Sequence, residues 1–154
     1  MRRTAVIAVG LVVGVIVTAA APGRVSSAAT GPAQIGISGQ QTAYTRVNVG
    51  PRRSRVGDME IVRYQLFNRR LTSRPIGRAE LVCTFTTGTS RVCRGTYFLP
   101  KGKLVVGGSV VYRQLYELAV LGGTGLYDNA RGTMVSTRIN RTPRREFLLF
   151  RLVG

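Results

Sequence analysis

The sequence contains no histidine and no tryptophan, two cysteines, and only six acidic residues among 154. Without histidine the chain cannot build a Ser-His-Asp triad, an imidazole general base, or a histidine-ligated zinc or haem site. Two cysteines cannot complete a four-cysteine metal cage either. We therefore expect no metal and no cofactor.

Basic residues, by contrast, number 23, which gives a formal charge of +17. Such an excess suits anionic polymers of a cell envelope, acidic lipid headgroups or a carboxylated ligand. Arginine far outnumbers lysine, so the codon usage of a GC-rich bacterial genome explains part of the excess equally well. Hydrophobic residues make up 44% of the chain, enough for a packed core, and the length fits one folded domain.

The N-terminal segment has the organisation of a signal peptide. Arg2 and Arg3 precede an uncharged run from Ala5 to Ala21, and Ser27-Ala28-Ala29 offers a small-x-small cleavage pattern. We predict a signal peptide over residues 1–29, cleaved near Ala28 or Ala29, and a secreted or envelope-associated protein. An apolar run of this length also just suffices to span a membrane, so an uncleaved anchor is the alternative.

Export changes the meaning of Cys83 and Cys93. Outside the cytosol two cysteines favour a disulfide, whereas two reduced and buried thiols are the alternative. The flanking residues alternate as in two strands, and a hairpin centred on Gly88 places the two cysteines opposite each other on one face. A two-residue loop would put them on opposite faces. We predict an odd-numbered loop and a cross-strand bridge.

Beyond a flexible lead-in predicted for residues 30–41, the domain from 42 to 154 alternates with period two, and turn residues recur about every ten positions. The predicted strands are Thr42–Val49, Met59–Phe67, Ile76–Thr86, Ser90–Leu99, Leu104–Val111, Leu115–Leu121, Gly132–Ile139 and Glu146–Leu152. This pattern predicts an all-β fold, an eight-stranded antiparallel barrel whose interior is filled by side chains or holds one small ligand. The fifth and eighth strands are apolar on both faces, so the outer wall meets the N-terminal segment or another subunit of a homo-oligomer.

One segment carries a resemblance to a known family. Residues Gly122, Gly123, Thr124 and Gly125 are followed by Tyr127 and by Ala130-Arg131-Gly132. This arrangement resembles the signature of the allene oxide cyclase barrel and dirigent families, and of their secreted bacterial members. Other matching pieces follow in the same order: Val56-Gly57-Asp58, Gly77, Cys83, Cys93 and Leu99-Pro100-Lys101-Gly102.

The resemblance implies a barrel that binds a small hydrophobic molecule and guides its cyclisation or isomerisation by confinement. If the chain is an enzyme, the resemblance implies an isomerase or cyclase of the allene oxide cyclase type. Dirigent proteins often carry an acidic residue directly after the glycine motif, where this chain has Leu126, with Asp128 two positions on. The alternative function is a non-catalytic basic protein of the envelope that binds anionic polymers or lipids. An exported barrel without an aromatic stacking platform does not favour nucleic acid.

The glycine motif is expected to reverse the chain at the barrel rim, with Tyr127 packing back as a plug. A phosphate-binding loop would need a following helix and a lysine directly after the glycines, whereas here no lysine follows the motif and the next residues alternate as in a strand.

Few polar residues are candidates for chemistry. Arg131 matches the family arginine and either contacts the ligand or braces the loop. Glu117 becomes a general acid or base if it points into the lumen, while an outward Glu117 would pair with an arginine. Aromatic residues are candidates for the cavity wall, although aromatics on strands also form core: Phe85, Tyr97, Tyr112, Tyr116 and Tyr127.

Overall fold

A closed barrel of eight antiparallel strands forms the domain. The computed structural model describes residues 33–50, 56–69, 74–111 and 115–153. The strands are β1 (Ala33–Val47), β2 (Met59–Asn68), β3 (Gly77–Phe85), β4 (Ser90–Leu99), β5 (Gly102–Val111), β6 (Leu115–Gly125), β7 (Arg131–Arg141) and β8 (Arg144–Val153). Each strand pairs with its neighbours in the chain, and β8 pairs with β1 to close the cylinder. The predicted fold class is confirmed. The predicted signal peptide lies outside the described residues.

The register of the β3–β4 hairpin follows the prediction. Cys83 lies directly opposite Cys93, and the two form a disulfide. Phe85 pairs with Arg91, so the turn is centred on Gly88 as expected. Because side chains alternate along a strand, the buried set on β3 includes both Cys83 and Phe85.

The first strand corrects the predicted lead-in. β1 begins at Ala33, nine residues before the predicted start, so residues 33–41 form strand rather than a flexible segment. The Gly, Ser and Gln residues here have weak strand propensity. They pair on both sides, with β2 and with β8, and this pairing closes the barrel. Tertiary pairing has therefore overridden local preference.

The barrel has two ends that we name for reference. The upper end carries the β1–β2, β3–β4, β5–β6 and β7–β8 connections. The lower end carries the β2–β3, β4–β5 and β6–β7 connections, together with Ala33 and Val153. Apolar side chains fill the lumen toward the lower end, where Tyr97 packs edge-to-face on Phe150 with ring centroids 5.1 Å apart.

The glycine motif lies at the lower end, and its structure differs from the predicted loop. Gly122 to Gly125 continue β6 and pair with β5, after a bulge that follows Val120. The chain reverses one segment later, over residues 126–130. A Cβ atom at Gly123 would lie 2.3 Å from the Tyr127 carbonyl oxygen, and one at Gly132, where φ is +136°, 1.9 Å from the Arg151 oxygen. Glycine is needed here because backbones approach closely. Tyr127 does pack back onto the core.

Among the described residues no helix is long and apolar enough to cross a membrane.

Candidate functional site

A cavity of about 390 Å³ occupies the upper half of the lumen. This volume lies toward the small end of the range typical of ligand pockets. Its apolar wall consists of Val62, Leu81, Phe85, Val110 and the Cys83–Cys93 disulfide. The cavity reaches the exposed turn of the β3–β4 hairpin at Gly88 and Thr89. An apolar chamber with access from the upper end is therefore present.

A buried carboxylate, Glu146, organises one side of this chamber. Its side chain is 2% exposed because β8 alternates and turns Glu146 inward with Leu148 and Phe150. Glu146 Oε1 accepts hydrogen bonds from Tyr64 Oη at 3.1 Å and from Arg144 Nε at 2.8 Å and Nη2 at 2.7 Å.

The other oxygen of Glu146 is equally well satisfied. Oε2 accepts hydrogen bonds from Tyr116 Oη at 3.1 Å and from Ser136 Oγ at 2.8 Å. A buried charge is strongly destabilising unless it is paired and hydrogen-bonded, and both conditions are met here. The donors come from β2, β6, β7 and β8, so this carboxylate ties together strands that are distant in sequence.

The two tyrosines bound to Glu146 stay protonated. Burial, reinforced by the negative charge of Glu146, raises the pKa of Tyr64 far above its ordinary value. The same two causes raise the pKa of Tyr116. A phenol has one proton, and each of these donates it to Glu146, so its oxygen offers only lone pairs to other groups. Tyr64 and Tyr116 both line the cavity and thus present hydrogen-bond acceptors there.

A second carboxylate, Glu60, lies on β2, where it shares the inward face with Val62 and Tyr64. It accepts a hydrogen bond from Tyr44 Oη at 2.7 Å and forms a buried ion pair with Arg91. The Arg91 guanidinium also lies over the Phe85 ring, 5.7 Å from its centroid. Tyr44 is 46% exposed and lines the cavity, which places it where the chamber meets solvent. Burial, followed by the hydrogen bond to Glu60, raises the pKa of Tyr44.

A third ion pair lies at the upper end beside Glu60. Arg46 Nη2 donates to Asp58 Oδ2 at 2.7 Å, and the Arg46 guanidinium also lies over the Phe85 ring, 5.6 Å from its centroid. The hydrogen bond from Arg46, together with the one from the Val49 backbone N–H, lowers the pKa of Asp58. Asp58 therefore remains a carboxylate and anchors the β1–β2 connection.

Two of the five predicted wall aromatics line the cavity: Phe85 and Tyr116. Tyr97 is 1% exposed and belongs to the packed core, so it does not line this cavity. Tyr127 lies at the lower end, away from the cavity. Tyr112 lies outside the described residues.

The two predicted catalytic residues lie outside the lumen. Glu117 is exposed, because the inward residues of β6 are Leu118 and Val120, so the condition for its acid–base role is not met. Arg131 is exposed at the lower end, and its Nη1 donates to the Ala130 carbonyl at 3.0 Å. This contact fits the alternative in which Arg131 braces the turn. Neither residue lines the cavity.

Apart from Tyr116, the polar residues that line the cavity were missed, although a signal for two of them, Glu60 and Tyr64, was present. Glu60 alternates with Val62, Tyr64 and Leu66 on β2 and shares their inward face. Tyr44 could not be placed in this way, because a bulge between Gln41 and Ala43 shifts the alternation of β1.

Within the described part of the chain, no three potential ligands of the His, Cys, Asp or Glu type come together to hold a metal ion.

Comparison with known proteins gives matches in structure but not in sequence. No family model matches the chain, and no curated protein matches it in sequence. The barrel is similar to pyocyanin demethylase, with a TM-score of 0.66, 21% identity, and coverage of 75% of this chain and 98% of that one. It is also similar to a Diels-Alderase from Streptomyces koyangensis, with a TM-score of 0.64, 16% identity, and coverage of 85% and 73%.

A third similar structure is a pterocarpan synthase dirigent protein, with a TM-score of 0.59, 13% identity, and coverage of 79% and 82% of the two chains. The fold is that of the dirigent and Diels-Alderase barrels. The resemblance read from the glycine motif and the cysteine spacing is thereby confirmed at the level of the fold. At identities this low the similarity shows the fold and assigns no role to any residue of this chain.

Proposed function

We propose that the barrel binds a small, largely apolar molecule in the upper cavity and promotes its cyclisation or isomerisation by confinement. The observation that carries this proposal is the 390 Å³ chamber, whose apolar wall is interrupted by two Glu–Tyr–Arg groups. The similar barrels described as a Diels-Alderase and a dirigent protein support the same kind of chemistry.

The apolar wall supplies the confinement. A flexible molecule that is held in one folded conformer has already lost the entropy that would otherwise oppose ring closure. Rigid strands and the disulfide between Cys83 and Cys93 hold Leu81, Phe85 and Val110 in place around it. Cyclisation and isomerisation rearrange bonds within one molecule, so the reaction needs no second reactant in the chamber.

The polar groups define what the bound molecule carries. Arg91 and Arg144 line the cavity as donors, and a fixed cation stabilises negative charge that develops on a substrate oxygen in the transition state. Tyr64 and Tyr116 offer acceptor lone pairs, which suit a hydroxyl group. We infer a ligand with an apolar skeleton, a carbonyl or similar oxygen, and at least one hydroxyl. Glu146 then acts as a positioning residue that orients both phenols.

We also propose that the protein works outside the cytosol, after cleavage of residues 1–29. Disulfides form and persist mainly in oxidising compartments, and the Cys83–Cys93 bond supports this location.

The proposal is tested by filling the cavity. Val110 lines the chamber and is 5% exposed, while its neighbour Val111 points outward and is 49% exposed. Val110→Phe places a ring in the chamber, and Val111→Phe adds the same ring to the surface. Small molecules carried through purification from the producing culture are then extracted and identified by mass spectrometry for both variants and the unmodified protein.

We expect a molecule with the inferred groups to accompany the unmodified protein and Val111→Phe, and to be lost from Val110→Phe at unchanged fold. Val62→Phe, on the opposite wall, repeats the test if Val110→Phe unfolds. Retention of the molecule in both cavity variants would refute the site. Conversion of the identified molecule by the unmodified protein separates a catalyst from a carrier, because a carrier returns it unchanged.

A further inference from the structure

The acidic residues are distributed unevenly between the interior and the outer surface. Three of the six acids are buried and each faces one arginine: Asp58 with Arg46, Glu60 with Arg91, and Glu146 with Arg144. Among the described residues, the exposed side chains then comprise eleven basic residues and three acids, Glu80, Glu117 and Asp128. Half of the negative charge is thus buried and paired, and the described outer surface is left strongly positive.

In the part of the chain that the structure describes, most of this exposed positive charge lies at the lower end. Seven of the eleven exposed basic residues lie on its connections or within two residues of a strand's lower end: Arg69, Arg74, Arg78, Lys101, Lys103, Arg131 and Arg151. Asp128 is the one acid there in the part of the chain that the structure describes, and its Oδ1 accepts a hydrogen bond from the Asn129 N–H. Glu80 lies on β3, two residues further from the lower end than Arg78, and its Oε1 is 4.0 Å from Arg63 Nε.

Two apolar side chains project from the same end. Leu126 is 47% exposed in the β6–β7 turn, and Val153 is 58% exposed at the end of β8. The Leu126 N–H donates to the Lys101 carbonyl oxygen at 2.9 Å, so the turn that carries this apolar tip is fixed against the β4–β5 connection. This turn is also braced by the hydrogen bond from the Tyr127 N–H to the Thr124 oxygen. The tip is therefore held outward by its own backbone.

We propose that the lower end docks on a membrane surface rich in acidic phospholipids. Clustered lysines and arginines are attracted by anionic headgroups, and exposed apolar side chains insert at the boundary with the acyl chains. Exposed apolar side chains also occur at the upper end, among them Val49 and Leu115. At the lower end Leu126 and Val153 lie among clustered cations, and a soluble polyanion would match those cations but leave the two apolar side chains in water, so a lipid surface is the better fit there. None of the docking residues lines the cavity, and this inference therefore stands independently of the proposed function.

Docking at the lower end has a consequence for access to the chamber. The cavity is reached from the upper end, at Gly88 and Thr89, while Tyr127 and the packed core fill the lower end. A barrel attached by its lower end keeps the chamber open to the aqueous phase. Ligands would then arrive from solution rather than from the bilayer.

Sedimentation with lipid vesicles tests the charge. Vesicles of phosphatidylcholine alone are compared with vesicles that contain phosphatidylglycerol. Every variant is used without residues 1–29, as in the proposed mature protein, because the apolar run from Ala5 to Ala21 would itself bind lipid. The double variant Lys101→Gln/Lys103→Gln removes two cations of the lower end. Its control, Arg94→Gln/Arg141→Gln, removes two exposed cations elsewhere at the same net charge.

We expect binding to the anionic vesicles to weaken roughly 25-fold in the lysine variant, about fivefold per charge. The arginine control should weaken much less. Equal weakening in both variants would show that net charge alone drives binding and would overturn the proposal, as would unchanged binding in the lysine variant.

A second pair of variants tests the apolar tip. Leu126→Asp should reduce binding to the anionic vesicles, while Ile139→Asp, at a site that is 58% exposed toward the upper end, should change it only by its charge. If Leu126→Asp and Ile139→Asp reduced binding to the anionic vesicles equally, Leu126 would not be a membrane contact. Binding to soluble polyphosphate without binding to vesicles would overturn the proposal in favour of a polymer partner.

Discussion

Replacing Glu146 by glutamine tests whether this carboxylate holds the upper half of the barrel together. Glutamine keeps the size of the side chain and removes its charge, so the ion pair with Arg144 is lost. Breaking a buried ion pair typically costs about 3–5 kcal/mol. The side chain of Arg144 is 22% exposed, so water offsets part of that cost, and the hydroxyls of Tyr116 and Ser136 can rotate to accept from the new amide. We expect the free energy of unfolding to fall by about 2–3 kcal/mol.

The assay is urea unfolding followed by circular dichroism, in which the transition midpoint should fall at unchanged slope. Glu80→Gln is the matched control. Glu80 is 52% exposed and lies 4.0 Å from Arg63, so its loss should cost less than about 0.5 kcal/mol. If Glu146→Gln destabilised the protein no more than Glu80→Gln does, the carboxylate would not be the buried hub that its five hydrogen bonds indicate.

Two further predictions concern stability. Burial raises the pKa of Tyr64, Tyr97 and Tyr116 in the folded protein. Above pH ~10 the unfolded chain therefore loses three protons that the folded chain keeps. The free energy of unfolding is at its full value below that pH and falls by about 4 kcal/mol per pH unit above it. Denaturant titrations between pH 9 and about 11.5 check the slope, and a flat profile would contradict the burial of these phenols. Replacing Cys83 and Cys93 by alanine opens a loop with a sequence separation of 10, and calorimetry should show a loss of about 2–3 kcal/mol. An unchanged melting temperature would show that the bond adds nothing to stability.

Much of the architecture could be predicted from the alternation of side chains. Along β3 every second residue is apolar or cysteine, and a hairpin centred on Gly88 leaves one register that brings Cys83 to Cys93. The start of β1 could not be predicted in the same way. Its Gly- and Ser-rich beginning at Ala33 becomes strand only because β2 and β8 offer backbone partners on both sides.

The site was harder to predict than the fold, because it depends on contacts across the lumen. Tyr64 and Glu146 are 82 residues apart in the sequence and meet only after the barrel closes. Glu117 was a predicted acid–base candidate because it interrupts an apolar strand. Leu118 faces inward on β6, however, so Glu117 points to solvent. The glycine motif indicated the right fold, but it marks the end of the barrel opposite to the cavity.

A crystal structure of the protein in complex with the molecule recovered from it tests most directly whether the upper cavity is the binding site. We predict that this molecule lies in the upper lumen, in contact with Phe85 and Val110, and that its oxygen atoms face Arg91, Arg144 or Tyr116. A ligand bound on the outer wall or among the lower-end turns, with the upper chamber left vacant, would contradict it.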